Sequence, residues 1–186
     1  MDPNSFWRDK MSIFDAREYV ELRKSRVEAI INHFGGRWFG GKRMLELGCG
    51  YADMGNVFYM LGANVTVTDA RKEYLDIIGE KYPGLKTILH NHNDKNWPFG
   101  KDYDLILNMG ILYHLEEFEQ FLDNCLSNCK NMFLESIVTD TANLNFVGHI
   151  KESGLDQSFT NLGCRPSTAN VERVIRKNNF SFERCF

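Results

Sequence analysis

The sequence predicts an α/β protein: a mostly parallel, twisted sheet with helices on both faces. Three observations predict it. Short apolar runs alternate along the chain with stretches of helical periodicity. A glycine turn, Gly48-Cys49-Gly50, follows the first run and precedes a helix. An acid, Asp69, closes the second run. Parallel strands joined by right-handed crossovers place helices on both faces. Ligands of such sheets bind beyond the strand C-termini, so the residues that follow each strand are the candidates for function.

The elements follow in order. A helix is predicted over about 16–34, because Ala16, Tyr19, Val20, Val27, Ile30, Ile31 and Phe34 fall largely on one face. Asp15 with Glu18 resembles a capping box, and Gly35-Gly36 ends the helix. Met44-Leu45-Glu46-Leu47 is a first strand, and a helix over about 54–61 follows the glycine turn. The second strand, 64–68, has a period of two and ends at Asp69. A helix over 71–81 is stopped by Pro83-Gly84. The third strand covers about 87–91 and the fourth 103–107. A helix over 116–129 carries the stripe Phe118, Phe121, Leu122, Cys125, Leu126 and Cys129, and a fifth strand over 131–134 follows. The polar stretch 139–164 reads as a lid or substrate loop. A last helix spans 168–178, with Ser167 or Thr168 as N-cap, and Phe180-Ser181-Phe182-Glu183 begins a sixth strand.

Composition bounds the rest. The 186 residues are 43% apolar and 25% charged, the balance of one globular domain rather than a disordered chain. We read 1–186 as a single domain with an N-terminal cap helix (about 15–34), a ligand-binding core (about 42–138) and a substrate or lid segment (about 139–167). The net charge of −3, from 22 Lys+Arg against 25 Asp+Glu, argues against holding nucleic acid by bulk electrostatics. No apolar run approaches a bilayer span, and the N-terminus lacks a signal pattern, so a cytoplasmic protein without a membrane partner is expected. Five cysteines in no framework spacing are expected to be free thiols; Cys125 and Cys129 are expected in the core, not on a metal.

The constellation that carries chemistry begins at Glu46-Leu47-Gly48-Cys49-Gly50. Two residues without Cβ let the backbone turn sharply and approach a ligand. A bare strand-to-helix turn is the alternative, but Asp69 at the end of the next strand can accept from both ribose hydroxyls of a nucleoside. Asp53 stands where a dinucleotide fingerprint wants a small residue, and a carboxylate there repels a pyrophosphate. That disfavours a nicotinamide dehydrogenase. A cationic sulfonium, by contrast, benefits from Glu46 and Asp53 nearby.

The glycine segment resembles motif I of the class I S-adenosylmethionine-dependent methyltransferases. Asp69 matches their ribose-binding acid. Residues 103–115, Tyr103-Asp104-Leu105-Ile106-Leu107-Asn108-Met109-Gly110-Ile111-Leu112-Tyr113-His114-Leu115, are similar to their fourth strand and following loop. Within the family, Met109-Gly110-Ile111-Leu112-Tyr113-His114 and Leu134-Glu135-Ser136-Ile137-Val138 most resemble tRNA wobble-uridine carboxymethyltransferases, a pattern shared with small-molecule methyltransferases.

The resemblance implies a Rossmann-like fold and S-adenosyl-L-methionine as cofactor, with S-adenosyl-L-homocysteine as product. It implies a cofactor site of Glu46, Gly48, Cys49, Gly50, Asp69, Ala70, Asn93, Asp94, Asn108 and Met109. Asn93 or Asp94 would accept from the adenine amino group, with Asn91 as the alternative if the alignment slips. Asn108 and Met109 would line the methionine part. His90 and His92 share a strand face and are expected as exposed polar side chains rather than a metal pair; no metal is expected. An arginine of the first helix, among Arg17, Arg23 and Arg26, could meet the methionine carboxylate, although a solvated face is the plainer reading.

His114, beyond strand four, is the candidate general base, by its pKa near 6.5 and its place near methyl delivery. Its alternative is orienting the loop or contacting substrate. Glu135 and Arg165 are candidate substrate contacts; Glu135 could equally cap a loop, and Arg165 could equally be solvated. The expected reaction is methyl transfer to an O, N or C nucleophile of a small molecule. An RNA nucleoside, or a noncatalytic cofactor-binding partner subunit, are the alternatives. The family core has seven strands, and this chain stops in or just after the sixth; the seventh is expected shortened or missing, leaving an edge through which an oligomer could form.

Overall fold

The computed structural model describes residues 13–154 and 156–184. It divides into two units, residues up to Trp38 and residues from Phe39 onward. In the first, α1 (Arg17–Phe34) follows a 3-10 turn over Ile13–Asp15. The expected capping box at Asp15 is not formed. Ala16 is the N-cap, with no side-chain cap hydrogen bond, because Asp15 is taken up in the preceding turn. The C-terminus ends as expected: Gly35, at φ 81°, donates its N–H to the Ile31 carbonyl at 2.7 Å.

The second unit is an α/β fold. β1 (Arg43–Leu47), β2 (Asn64–Asp69), β3 (Lys86–Leu89), β4 (Leu105–Met109) and β5 (Met132–Glu135) form one sheet in the order β3-β2-β1-β4-β5. Every pairing is parallel. The connecting helices are α2 (Asp53–Met60), α3 (Lys72–Lys81) and α4 (Phe118–Ser127), and α5 (Thr168–Lys177) follows later. Leu45, Leu47 and Ile106 pack with Phe121 and Cys125 of α4 on one face. On the other, Val65 and Val67 of β2 lie so close to α2 that a Cβ at Gly55 would come 2.9 Å from Val67. Fully burying one such aliphatic side chain contributes about 1.5–3 kcal/mol.

Two expectations fail in the last third. The stretch expected to be an irregular lid contains an antiparallel hairpin, β6 (Val147–Lys151) and β7 (Leu162–Pro166). Its residues alternate faces, but glycine and proline dilute the apolar signal. The sixth strand expected over 180–183 does not form. Phe180 and Phe182 instead pack against the cluster of Leu122, Leu126, Val171 and Ile175, covering α4 and α5 rather than pairing with a strand. Among the described residues the parallel sheet therefore has five strands. Here too, no helix is long and apolar enough to cross a membrane. Cys49, Cys125, Cys129 and Cys164 are free thiols; Cys185 lies outside the described residues.

His92 corrects a further expectation. It is not an exposed polar side chain but a buried one, 6% exposed, set among His90, Phe99 and Phe121. Thr68 Oγ1 donates to the Glu46 carbonyl, so His92 Nε2 donates to Thr68 Oγ1, at 2.9 Å. Burial, with a smaller push from His90, takes the imidazole down to about 3. The unfolded chain thus binds this proton below about 6.5 while the folded chain refuses it until about 3. Stability is full above 6.5 and is lost as pH falls through that window. Urea unfolding of wild type and His92→Gln between pH 7.5 and 4 should show a steeper acid loss in the wild type, by about 1 kcal/mol or more at the acid end.

Candidate active site

All five strands end on one edge, and the candidate residues gather there. β1 runs into Gly48-Cys49-Gly50, with φ of 60° at Gly48 and 55° at Gly50. Ala52 continues the left-handed path at 55°. At Gly48 a Cβ would also lie 2.5 Å from Ile111 Cδ1, so the Ile111 side chain of the loop after β4 packs on the bare backbone of the turn.

Asp69, at the end of β2, holds this turn. Its Oδ2 accepts the Gly50 N–H at 3.0 Å, and its Oδ1 accepts the Arg71 N–H at 2.9 Å. Burial raises the carboxyl's pKa, and N–H donation from Arg71, Gly50 and Ala70 opposes that rise. These donors do not use all the lone pairs of the carboxylate. Cys49 lies beside two carboxylates, Glu46 and Asp69. Burial and those charges push its thiol well up, so it stays neutral and is no nucleophile.

Two further predicted cofactor residues, Glu46 and Asn93, and the neighbouring Asp53 bond within the fold. Glu46 is 2% exposed and accepts the Gly55 N–H at 2.9 Å, fixing α2 to β1. Asp53 pairs with Lys81 Nζ at 2.7 Å and Tyr82 OH at 2.6 Å. Each acid is thus also held by the scaffold around the turn. Asn93 accepts the Glu116 N–H on Oδ1 at 2.8 Å and donates its own N–H to Asn91 Oδ1 at 3.1 Å, so it ties the loop after β3 to the segment before α4. Asp94 is exposed and lines, with His92, Asn93 and Glu116, a cleft of about 240 Å³.

Asn108 is the reverse case. It is fully buried near the end of β4, and neither its Oδ1 nor its Nδ2 has a hydrogen-bond partner. Leaving such a group unmatched costs about 1–3 kcal/mol per atom. Met109 and Glu135 end their strands side by side in register, both half-buried.

Beyond β4, a 3-10 turn over Leu112–His114 presents His114. Its Nδ1 is hydrogen-bonded to Glu152 Oε2. Glu152, just past β6, is the functional candidate that sequence reading missed. Its polar stretch gave no periodic signal, and the contact joins residues far apart in the chain. The carboxylate, 3% exposed, also accepts from Arg165 Nη2 at 2.8 Å and the Ser158 N–H at 3.0 Å. Burial opposes its ionisation, but the hydrogen bonds from Arg165 and His114 outweigh that and hold its pKa below the usual value. Arg165 is therefore not a solvated side chain: its Nη1 also donates to the Tyr113 and Cys164 carbonyls, at 2.9 and 2.8 Å. Gly163 makes the packing possible, because a Cβ there would come 2.5 Å from the Tyr113 carbonyl and 2.7 Å from Glu152 Oε1.

Burial lowers the His114 pKa, Glu152 opposes the fall, and Arg165 and Arg71 add to it. The imidazole is thus neutral near pH 7, and one side chain is available to take a proton. No group of His, Cys, Asp or Glu among the described residues could hold a metal ion.

Residues 19–181 match a family model described as a methyltransferase domain. The protein N-lysine methyltransferase METTL21A of Danio rerio is 36% identical over 91 residues, which span 44% of this chain and 42% of that protein. Among solved structures, the N-terminal domain of EvdMO1, crystallised with SAH and D-fucose, superimposes with a TM-score of 0.71 at 16% identity. It covers 96% of this chain and 87% of that one. Magnesium protoporphyrin IX methyltransferase from Synechocystis, with bound SAH, gives 0.64 at 14% identity, over 98% and 87%.

The glycine turn is the part of this site most exposed to test. Gly48→Ala should lower the unfolding free energy by about 1–2 kcal/mol, since an L-residue resists φ near 60°. Adding Ile111→Val should recover only a part of that loss, because it relieves the contact but not the backbone. Chemical denaturation of both variants checks this.

Proposed function

The chain belongs to a family of methyltransferase domains, and from that premise we propose that it methylates a small-molecule acceptor with S-adenosylmethionine as donor. The observation that carries the reading is Asp69. It stands at the end of β2 with both oxygens bonded to backbone N–H groups of the turn and of Arg71, and with lone pairs to spare. That is the chemistry a ribose needs: two hydroxyl donors meeting one oriented carboxylate.

The residues fit the cofactor on two further counts. Gly48 and Gly50 carry no side chain of their own, and the buried amide of Asn108 lacks the partners that a bound amino acid moiety or its water would supply. Asp69 and Ala70 would hold the ribose, the glycine turn the adjoining backbone, and Asn108 and Met109 the methionine part. Glu46 and Asn93 support these loops rather than contacting the ligand. The cofactor, when bound, supplies a methyl group already activated by a sulfonium. The protein's work is then to orient the acceptor in line and exclude water.

His114 faces the acceptor in this reading. Its side chain is only 19% exposed beside the segment after β6, which suits a small acceptor better than a folded protein surface. The net charge of −3 is no help to an RNA. The likeness to a lysine methyltransferase is the observation that favours a protein acceptor instead.

Calorimetric titration tests the proposal. S-adenosylmethionine and S-adenosylhomocysteine should both bind saturably, and Asp69→Ala should weaken both by roughly 10–100-fold, the worth of charge-assisted hydrogen bonds. Asp69→Asn, which keeps the loop contacts to Gly50 or Arg71, should fall between. No binding to the wild type sinks the cofactor reading. Labelled methyl transferred to proteins rather than to metabolites sinks the small-molecule reading.

A further inference from the structure

We propose that Glu152 is a positioning residue that makes His114 a general base, and that the acceptor atom is therefore a hydroxyl oxygen. The inference rests on the methyltransferase reading and deepens it.

The geometry begins with the carboxylate. Glu152 is ionised and can only accept, so His114 Nδ1 carries the proton in their hydrogen bond. That fixes the neutral tautomer, with an unprotonated Nε2. Among the described residues Nε2 makes no hydrogen bond. A histidine oriented by a buried carboxylate through Nδ1, with Nε2 left free, is a base held ready for a proton.

The carboxylate itself is over-determined. Arg165 Nη2 holds Oε1, and the Ser158 N–H shares Oε2 with His114. Arg165 is fixed in turn by two carbonyls and by stacking over Tyr113, 5.1 Å from the ring centre. The charged groups facing His114 are Glu152, Arg165 and Arg71. Burial, with a smaller push from the two arginines, keeps the imidazole unprotonated, and Glu152 opposes that fall and keeps it basic enough to work. A structural ion pair alone requires no free Nε2.

The choice of acceptor follows from proton bookkeeping. A neutral amine attacks through its own lone pair and can shed its proton to water afterwards. A thiol near its pKa is already partly ionised at neutral pH. A hydroxyl is a poor nucleophile until its proton leaves. Here the acceptor O–H bond breaks and its proton passes to His114 Nε2. The oxygen's pair forms the bond to the methyl carbon, and the methyl–sulfur bond breaks with its pair going to sulfur. Atoms and charge balance: a neutral alcohol or phenol, a sulfonium and the neutral His114 imidazole give a methyl ether, S-adenosylhomocysteine and an imidazolium stabilised by Glu152.

The first test needs no acceptor. Histidine side-chain NMR of the full-length wild type should show His114 as the Nδ1–H tautomer at neutral pH. Its pKa should fall further in Glu152→Gln and stay near the wild-type value in Glu152→Asp. An Nε2–H tautomer in the wild type, or an unmoved pKa in Glu152→Gln, overturns the proposal. Calorimetry with S-adenosylmethionine on the same samples keeps the cofactor reading separate, since both variants should bind it as the wild type does. The second test incubates the wild type with methyl-¹³C-labelled S-adenosylmethionine and a deproteinised metabolite extract. The labelled carbon's chemical shift distinguishes O-methyl from N-methyl and S-methyl products. An O-methyl product is expected, formed about 10²–10⁴-fold more slowly by His114→Gln and Glu152→Gln. An N- or S-methyl product, or no O-methyl product, overturns the hydroxyl assignment.

Discussion

All five strands of the central sheet run parallel, and that one constraint decides where chemistry can occur. Parallel strands must each be left at the same edge and re-entered at the other, so the loops after β1, β2, β3, β4 and β5 are neighbours. Chain order along the sheet reverses between β1 and β4, and the loops at that reversal diverge to leave a crevice. Gly48 and Ile111 come from its two sides and would collide if glycine gained a methyl group. The Ile111 side chain thus packs directly on the Gly48 backbone.

Three buried carboxylates hold the loops around it, and each does so by accepting backbone N–H groups. Glu46 takes Gly55, Asp69 takes Gly50 and Arg71, and Glu152 takes Ser158. Burying a carboxylate is expensive unless its oxygens are satisfied, and backbone N–H groups satisfy them without side-chain entropy. Their electrical states differ with their partners. Asp69 has backbone donors and a distant guanidinium, and burial raises its pKa. Glu152 has an arginine and a histidine, and its pKa falls. The first remains an adaptable acceptor, whereas the second is committed to its cation and its imidazole.

The legible part of this protein was what repeats or what punctuates. β1, β2 and α4 announced themselves by apolar periodicity, and the glycine turn with Asp69 by glycine and acid at strand ends. What sequence could not give was the direction in which a polar side chain turns. Glu46 and Asn93 lie where a ligand contact was expected, yet each is also engaged by its own scaffold. His92 has the alternation of an exposed edge residue and is buried because Phe99 and Phe121 close over it. Phe180 and Phe182 alternate like a strand and serve as a cover for helices. Glu152 was invisible for a further reason: its partners, His114 and Arg165, come from separate elements that only the hairpin brings together. Local pattern reports local structure, and a contact between distant residues leaves no period to read.

Arg71 joins these separate pieces. Its N–H binds Asp69, and its Nη2 donates to the Gln157 carbonyl at 2.6 Å in the segment that follows Glu152. One residue therefore spans from the carboxylate of the glycine turn to the segment that positions the histidine. Its charge also acts on both ends, stabilising ionised Asp69 and disfavouring protonated His114. Next to it, Tyr74 of α3 is hydrogen-bonded to Asp156 in the same segment. The β6–β7 connection, polar and unpatterned in sequence, is thus fastened at Asp156 and Gln157 by Tyr74 of α3 and Arg71 of the loop after β2. Its lack of apolar periodicity follows from that role, because a segment fixed by carbonyls, carboxylates and N–H groups has no hydrophobic face to repeat.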